Sequence, residues 1–553
     1  MTAWLHHHLK LSCIGLIFGV AGYFMALTPS LMPRPALFMG LIAGINFTVW
    51  YGFGLIVSAC LRWLKLPEPA QSRKQTIWRL TLVVIAVLIV IFGVMSANWQ
   101  NSVRIALNQP VLQGTDILSV LLISILTAAG ILALSRQIRR LYRYVDHKLA
   151  AKARVIPSRL AALLSVVIVA VVIGLTINGV VLRGLKLAAN NFYRSSNQQT
   201  QAGANEPSTS LRSGGPASLV SWASLGRQGR NFVGQGPTPA QLTAFSAQPA
   251  LQPIRVYAGI DSADTIQGRA NLALAELERT GAFNRQVLVV MTTTGSGWID
   301  PQSSDAIEYM YNGNTALATI QYSYLPSWMA LLANRGDATS AGQTLFDTIY
   351  AKWRTLPAAS RPKLYAYGLS LGSFGGQSAF SGASDLAART DGALFMGTPG
   401  FSFPWTRLTT DRAPGSPEIL PVYQDGTIVR FAATSADITA DQSNWQGSRT
   451  LYMQHPSDPV VWWSPSYLFS EPDWLKEPRG YDVSPHVHWY PFITFLQLTV
   501  DQFFANDVPG GHGHDYGSTI ADAWQAVTQP ANWSASQSAK LQHLINTVSA
   551  QEN

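Results

Sequence analysis

Lys363-Leu364-Tyr365-Ala366-Tyr367-Gly368-Leu369-Ser370-Leu371-Gly372-Ser373-Phe374-Gly375-Gly376 is the stretch from which the rest of the chain can be read. Its centre has the form G-x-S-x-G. A run of strand formers precedes it, and small residues that suit a tightly packed helix start follow. A nucleophile elbow needs that order. A turn this sharp from strand to helix leaves no room for a side chain two residues before or after the serine, and glycine at 368 and 372 removes the clash. The Ser370 hydroxyl is then expected above the sheet edge. The Leu371 N–H, at a helix N-terminus, points at any oxyanion formed there. The bland alternative is a Gly/Ser-rich turn with no chemistry.

Strands and helices alternate around this stretch. Strands are expected at 254–260, 287–293, 316–322, 363–368, 392–396, 428–433 and 450–455, and helices at 263–280, 340–355, 490–505, 518–527 and 536–549. Such alternation implies a mostly parallel sheet covered on both faces, with ligands bound beyond the carboxyl ends of its strands. Ser370 lies at such an end.

A serine needs a base, an orienting acid and oxyanion donors. In the order Ser…Asp/Glu…His, the acid follows a strand after the elbow. Asp458, in His455-Pro456-Ser457-Asp458-Pro459-Val460-Val461, fits, with Asp437 and Asp473 as fallbacks. The base is expected in a glycine-rich loop before a terminal helix, which Pro509-Gly510-Gly511-His512-Gly513-His514-Asp515-Tyr516-Gly517 supplies. His514 is the first choice and His512 the second. Paired histidines also bind metal, and His486 with His488 makes a second H-x-H, so a zinc site competes; no Cys supports it, and it leaves the elbow unexplained. A second oxyanion donor is expected from Thr294 or Gly295, in Thr292-Thr293-Thr294-Gly295-Ser296-Gly297-Trp298. This loop lacks the G-x-x-x-x-G-K-[ST] of a nucleotide-binding P-loop.

The 553 residues exceed one compact domain, and their averages of 48% hydrophobic and 12% charged hide two different halves. Five apolar stretches, roughly 11–28, 36–61, 80–98, 117–135 and 160–182, are long enough or nearly so to cross a bilayer. The first lacks a signal-peptide cleavage site and is read as a retained span. The formal charge of +9 is concentrated in the loops after the second and fourth stretches, which makes nucleic acid a poor partner. These loops carry Arg62, Lys65, Arg73, Lys74 and Arg79, and Arg136, Arg139, Arg140, Arg143, Lys148, Lys152, Arg154 and Arg159. The bias predicts an inside N-terminus, five crossings and an outside C-terminal half. Gly15/Gly19 and Gly40/Gly44 are spaced for close helix packing. Arg34, in a Pro-rich turn, reads as an interface anchor, with contact to lipid phosphate or to the catalytic domain as the alternative. Cys13 and Cys60 both fall inside apolar stretches.

The expected division is a multi-span domain over 1–190, a flexible linker over 191–215 and a catalytic domain over 216–553, whose residues 218–234 dock on it. Tyr322, Tyr324, Trp328, Trp462 and Trp463 are candidates to line an acyl pocket, with ordinary core as the alternative for each.

The chain resembles a bacterial membrane-anchored alpha/beta-hydrolase family that couples an N-terminal multi-span domain to a C-terminal hydrolase domain. The resemblance rests on Thr28-Pro29-Ser30-Leu31-Met32-Pro33-Arg34-Pro35, Pro253-Ile254-Arg255-Val256-Tyr257-Ala258-Gly259, Thr293-Thr294-Gly295-Ser296-Gly297-Trp298, Gln321-Tyr322-Ser323-Tyr324-Leu325-Pro326-Ser327-Trp328, the elbow, and Gly511-His512-Gly513-His514. It implies a serine-hydrolase fold and supplies no substrate. It departs from hydrolases in general in having no clear strand just before the histidine loop. The residues lead to an esterase or lipase-type enzyme at the outer face of a plasma membrane, acting on a lipid or envelope ester. Acyl transfer by the same triad, or a membrane scaffold without chemistry, are the alternatives. No cofactor is implied, and no protein partner can be read.

Overall fold

The computed structural model of the chain describes residues 11–65, 71–112, 117–151, 157–440, 445 and 447–552. Lys152 and Arg154 lie outside them. The chain divides into two compact units. One comprises Met1–Leu185 with Pro465–Asp507, and the other Lys186–Ser464 with Val508–Asn553.

The second unit is built on a seven-stranded parallel sheet in the order β1-β3-β2-β4-β5-β7-β6. The strands are β1 Ile254–Ala258, β2 Val287–Thr292, β3 Thr315–Ile320, β4 Lys363–Leu369, β5 Gly392–Met396, β6 Val429–Ala432 and β7 Arg449–Met453. Each lies within two residues of its expected position. Val287, Val289 and Met291 of β2 join Tyr365 and Tyr367 of β4 in one buried cluster with Ile307, Ile520, Trp524 and Leu541 from helices on that side. The intervening residues Leu288, Val290, Leu364 and Ala366 are buried as well. Both faces are therefore covered, and these strands read as near-continuous apolar runs. Among the described residues no strand follows β7.

The stretch expected to be a flexible linker is a correction. Residues 191–197 end the helix Arg183–Asn197, and 204–215 are tied into the hydrolase unit. Arg212 Nη1 donates to the Val233 carbonyl at 3.1 Å and the Gln235 carbonyl at 2.7 Å, and its Nη2 to the Pro237 carbonyl at 3.1 Å. Ser213 N donates to Arg255 O at 3.0 Å, beside the edge strand β1. Here the Gly, Ser and Pro content makes tight turns, and the buried Arg212, together with Arg279 Nη1 on the Ser210 carbonyl at 2.7 Å, supplies donors that hold them. Residues 218–234 dock as expected, with Leu225, Phe232 and Val233 in the core beside Tyr257.

In the first unit, four helices are long and apolar enough to cross a membrane: Ala36–Trp63, Gln75–Ala106, Ile117–Ala150 and Arg159–Val180. The first expected span is a shorter apolar helix, Cys13–Ala26, within the described residues. A Cβ at Gly15 would lie 2.8 Å from the Tyr51 ring, and one at Gly44 would lie 2.7 Å from the Ser124 carbonyl. The spaced glycines thus let helices approach to backbone distance. Segment 465–507, expected inside the catalytic domain, belongs with these helices: Ile493 is fully buried among Tyr23, Phe24, Met39, Ile42 and Val120.

Candidate active site

The site is built from loops that leave the carboxyl ends of β2, β3, β4, β5 and β7, together with the loop 509–517. β4 ends at Leu369, and the helix Leu371–Gln377 begins one residue after Ser370. Ser370 sits between them at φ 57° and ψ −126°. A non-glycine residue in that region costs about 1–3 kcal/mol, which the surrounding packing must supply. Added Cβ atoms at Gly368 and Gly372 would overlap the Gly372 and Thr292 carbonyls respectively, so both positions require glycine. Ser370 N donates to Met396 O at 2.9 Å, joining the elbow to the end of β5. The Leu371 N–H is the first amide of its helix and has no acceptor within it.

Asp458 lies beyond β7, fully buried. Its Oδ1 accepts from Val460 N at 2.8 Å. Its Oδ2 accepts from His514 Nδ1 at 2.7 Å and from the Tyr516 hydroxyl at 2.6 Å. The loop carrying His514 is fastened to the loop carrying Asp458 at further points. Gly513 N donates to Ser457 Oγ at 2.8 Å, His455 Nδ1 meets Gly513 O at 2.9 Å, and His455 N donates to the Tyr516 hydroxyl at 3.2 Å. The His455 and Tyr516 rings stack at 4.3 Å. Each contact fixes the pose of the His514 ring.

The imidazole of His514 lies over Gly397, the residue after β5. A Cβ there would be 2.8 Å from Nδ1 and would overlap Cε1. Strand pairing sets Leu369 opposite Met396, so Ser370 and Gly397 are the next positions along the two strands. His514 Nε2 is buried and makes no hydrogen bond, to Ser370 or to any other described residue. Hydrogen bonds between nucleophile and base are often loose without substrate.

The remaining candidates fall differently. His512 is buried in the same loop, and its backbone carbonyl accepts from Asp515 N at 3.1 Å. Asp437 forms a capping box with Thr434 at the helix Ser435–Thr439. Asp473 starts the short helix Asp473–Lys476 and pairs with Lys476 at 3.1 Å. His486 and His488 belong to the other unit. The expectation of an oxyanion donor at Thr294 or Gly295 is corrected. Thr294 N donates to Trp298 O at 3.0 Å, because the loop closes on itself as a turn, and Gly295 N donates to Ser327 Oγ at 3.3 Å, at the start of the helix Ser327–Trp353.

Tyr322 is buried, and Tyr324 turns its hydroxyl to Asp261 at 2.9 Å, in the loop after the edge strand β1. Trp328 is 44% exposed. Trp462 is core, its Nε1 donating to His455 O at 2.9 Å. The aromatic surface beside the elbow draws on Trp463 alone of these candidates. Phe374, whose N–H donates to Ser370 O at 3.0 Å, packs on Phe401 at 5.5 Å, and Phe401 packs on Trp463 at 6.0 Å. All three are half-buried. Phe374 stands in the quoted elbow and Trp463 is among the aromatic candidates named from the sequence, but nothing local signals that Phe401 joins them. Tyr516 and Gly397 were missed as well; Tyr516 is in the quoted histidine loop, and its partner is 58 positions earlier.

Comparison with known proteins gives two family matches. A model described as "Alpha/beta-hydrolase family" matches residues 254–541, and one described as "Alpha/beta-hydrolase family N-terminus" matches residues 27–237. No curated protein matches the chain. Among solved structures, a Trichoderma reesei cutinase in complex with a C11Y4 phosphonate inhibitor aligns at 15% identity and a TM-score of 0.22, over 49% of this chain and 92% of that one.

Proposed function

The chain belongs to the alpha/beta-hydrolase family, and we propose that it is a membrane-anchored serine hydrolase of the esterase type. One observation carries the proposal. His514 is held through Nδ1 by the buried Asp458, with Nε2 uncommitted and its ring one position across the sheet from the strained Ser370. A carboxylate on Nδ1 keeps the proton on that nitrogen and leaves Nε2 as the acceptor.

In the proposed reaction the Ser370 hydroxyl oxygen attacks an ester carbonyl as its proton passes to His514 Nε2. Asp458 stabilises the imidazolium that forms. The Leu371 N–H faces the oxyanion. Collapse of the tetrahedral adduct breaks the bond to the leaving alcohol, which takes the proton from Nε2. Water then releases the acyl group by the same sequence in reverse. Phe374, Phe401 and Trp463 offer an apolar wall for an acyl chain.

The substrate proposed is a lipid or envelope ester at the outer face of a plasma membrane. Its support is the presence of four membrane-length helices, together with the basic loops after the second and fourth apolar stretches. The test uses the full chain, because residues 465–507 belong with the helices and an excised 216–553 would lose their partners. A fluorophosphonate should label the wild type and not Ser370→Ala, and Ser370-dependent turnover should favour a bilayer ester over its soluble analogue. A folded wild type left unlabelled beside a labelled control hydrolase ends the serine-hydrolase reading. Turnover confined to soluble esters ends the lipid assignment.

A further inference from the structure

The segment Pro465–Asp507 leaves the hydrolase unit between Asp458 and His514. Its first residue comes seven positions after Asp458, and its last comes seven before His514. From Ser484 to Asp507 it is fastened to the helices of its own unit by polar groups. Asp501 Oδ1 accepts from the Ser30 hydroxyl at 2.9 Å, and Oδ2 accepts from Leu31 N at 3.1 Å and Met32 N at 3.3 Å. The Arg34 guanidinium stands 3.9 Å from Oδ1, with both side chains inaccessible to solvent. Gln497 Nε2 donates to the Thr28 carbonyl at 3.0 Å, which also accepts from Arg34 Nη2 at 2.9 Å. Farther along, Ser484 meets Ser102 at 2.7 Å, and Gln109 Nε2 donates to Asp507 O at 2.7 Å.

A buried carboxylate with this many partners is a costly arrangement for a plain anchor. Burying the pair costs several kcal/mol per ion, whereas apolar packing on Ile493 would hold the segment as well. What the polar set adds is a single register, since two backbone amides of the Thr28–Pro35 turn must both reach one oxygen. The turn read from the sequence as an interface anchor is thereby the socket of a clamp.

We propose that this clamp positions the catalytic loops. By holding residues 465–507 in one register on the helices, Asp501 sets the anchorage of the two short connections that lead to Asp458 and His514. Asp501 is a positioning residue, and the helical unit is part of the enzyme rather than a tether for it. This rests on the serine-hydrolase reading above.

The experiment uses full-length protein in membranes, with a fluorophosphonate for labelling and a water-soluble short-chain ester for turnover. In Asp501→Asn the side-chain nitrogen cannot accept from Leu31 and Met32, and Arg34 loses its counter-charge. A second variant inserts a flexible Gly/Ser stretch of about six residues between Asp507 and Val508. It leaves Asp501 and all its partners intact and slackens only the connection to His514. Both variants should lose roughly 10- to 100-fold in labelling rate and in kcat, with KM for the soluble ester little changed. A clamp that only holds the helices together would leave the insertion variant at the wild-type rate, and that result overturns the proposal. So does wild-type labelling of Asp501→Asn. If Asp501→Asn is lost from the membrane fraction, the insertion variant decides. An unlabelled wild type defeats the hydrolase reading itself, a separate outcome.

Discussion

Two buried aspartates organise the two units in parallel fashion and to different ends. Asp458 gathers His514, Tyr516 and Val460 N–H, and Asp501 gathers Ser30, Leu31 N–H, Met32 N–H and Arg34. Burial raises the Asp501 carboxyl to about 6, against the pull of Arg34 and three hydrogen bonds. Neither burial nor the number of partners tells the two sites apart. Uncommitted nitrogens do not either, since Arg34 Nε and Nη1 lack hydrogen-bond partners among the described residues, just as His514 Nε2 does. The difference lies in the cation-forming partner. Guanidinium keeps its proton at any working pH, while imidazole gains and loses one. On the proposed function, the same carboxylate arrangement serves as a clamp beside arginine and as an acid–base relay beside histidine.

The comparison breaks most sharply at its catalytic end. His514→Ala and Asp458→Asn should each lower kcat on a soluble ester by about 10⁴-fold, with the protein still folded. His512→Ala should cost far less. If His512→Ala is the more damaging change, the base has been misassigned.

A smaller effect, through geometry alone, is expected at Gly397. Its φ of 54° and the His514 ring above it leave no place for a methyl group. Gly397→Ala should tilt the imidazole and lower kcat by roughly 100-fold, with a smaller change in melting temperature. Wild-type turnover in this variant would mean that the ring's seat on β5 is irrelevant to the chemistry.

The smallest effect concerns a third buried carboxylate, Asp300, which caps the helix Pro301–Met310 by accepting from Gln302 N and Ser303 N, both at 3.2 Å. Burial pushes it up to about 7, against those two bonds. The folded value lies above the unfolded one of about 3.9, so the folded state holds a proton that the unfolded state has released. Its contribution to stability is complete below about pH 4 and is lost as pH rises through about 7. Asp300→Asn keeps a capping oxygen and does not titrate. The melting temperature of the wild type relative to this variant should fall between pH 4 and 7, by a few degrees. A difference that stays flat across that range would show that Asp300 does not titrate there.

Much of the hydrolase unit is legible in the residues because parallel strands buried on both faces leave a local mark. Val287–Thr292 and Lys363–Leu369 are short, apolar and bounded by turn formers. The short helices Ala383–Arg389, Phe403–Thr410 and Ser435–Thr439 left no such mark. Helices of that length are stabilised by packing and caps rather than by their own propensity, so their sequence pattern is weak.

The sequence by itself determined the parallel sheet, the sharp strand-to-helix turn at Ser370 and the apolar helices. These depend on residue periodicity and on where glycine is sterically required, both of which act between near neighbours. Tertiary structure alone decided that His514 rather than His512 meets Asp458, and that the Gly295 amide is spent on Ser327 Oγ, 32 positions later. It also decided that Arg212 nails down a stretch that reads as linker, and that Arg34 and Asp501, far apart in the chain, share one buried site. In most of those cases the outcome is a hydrogen bond or ion pair made by a buried side chain. Its partner is selected by distance in space and by the cost of leaving a buried polar group unmet, and neither is written in the neighbouring residues.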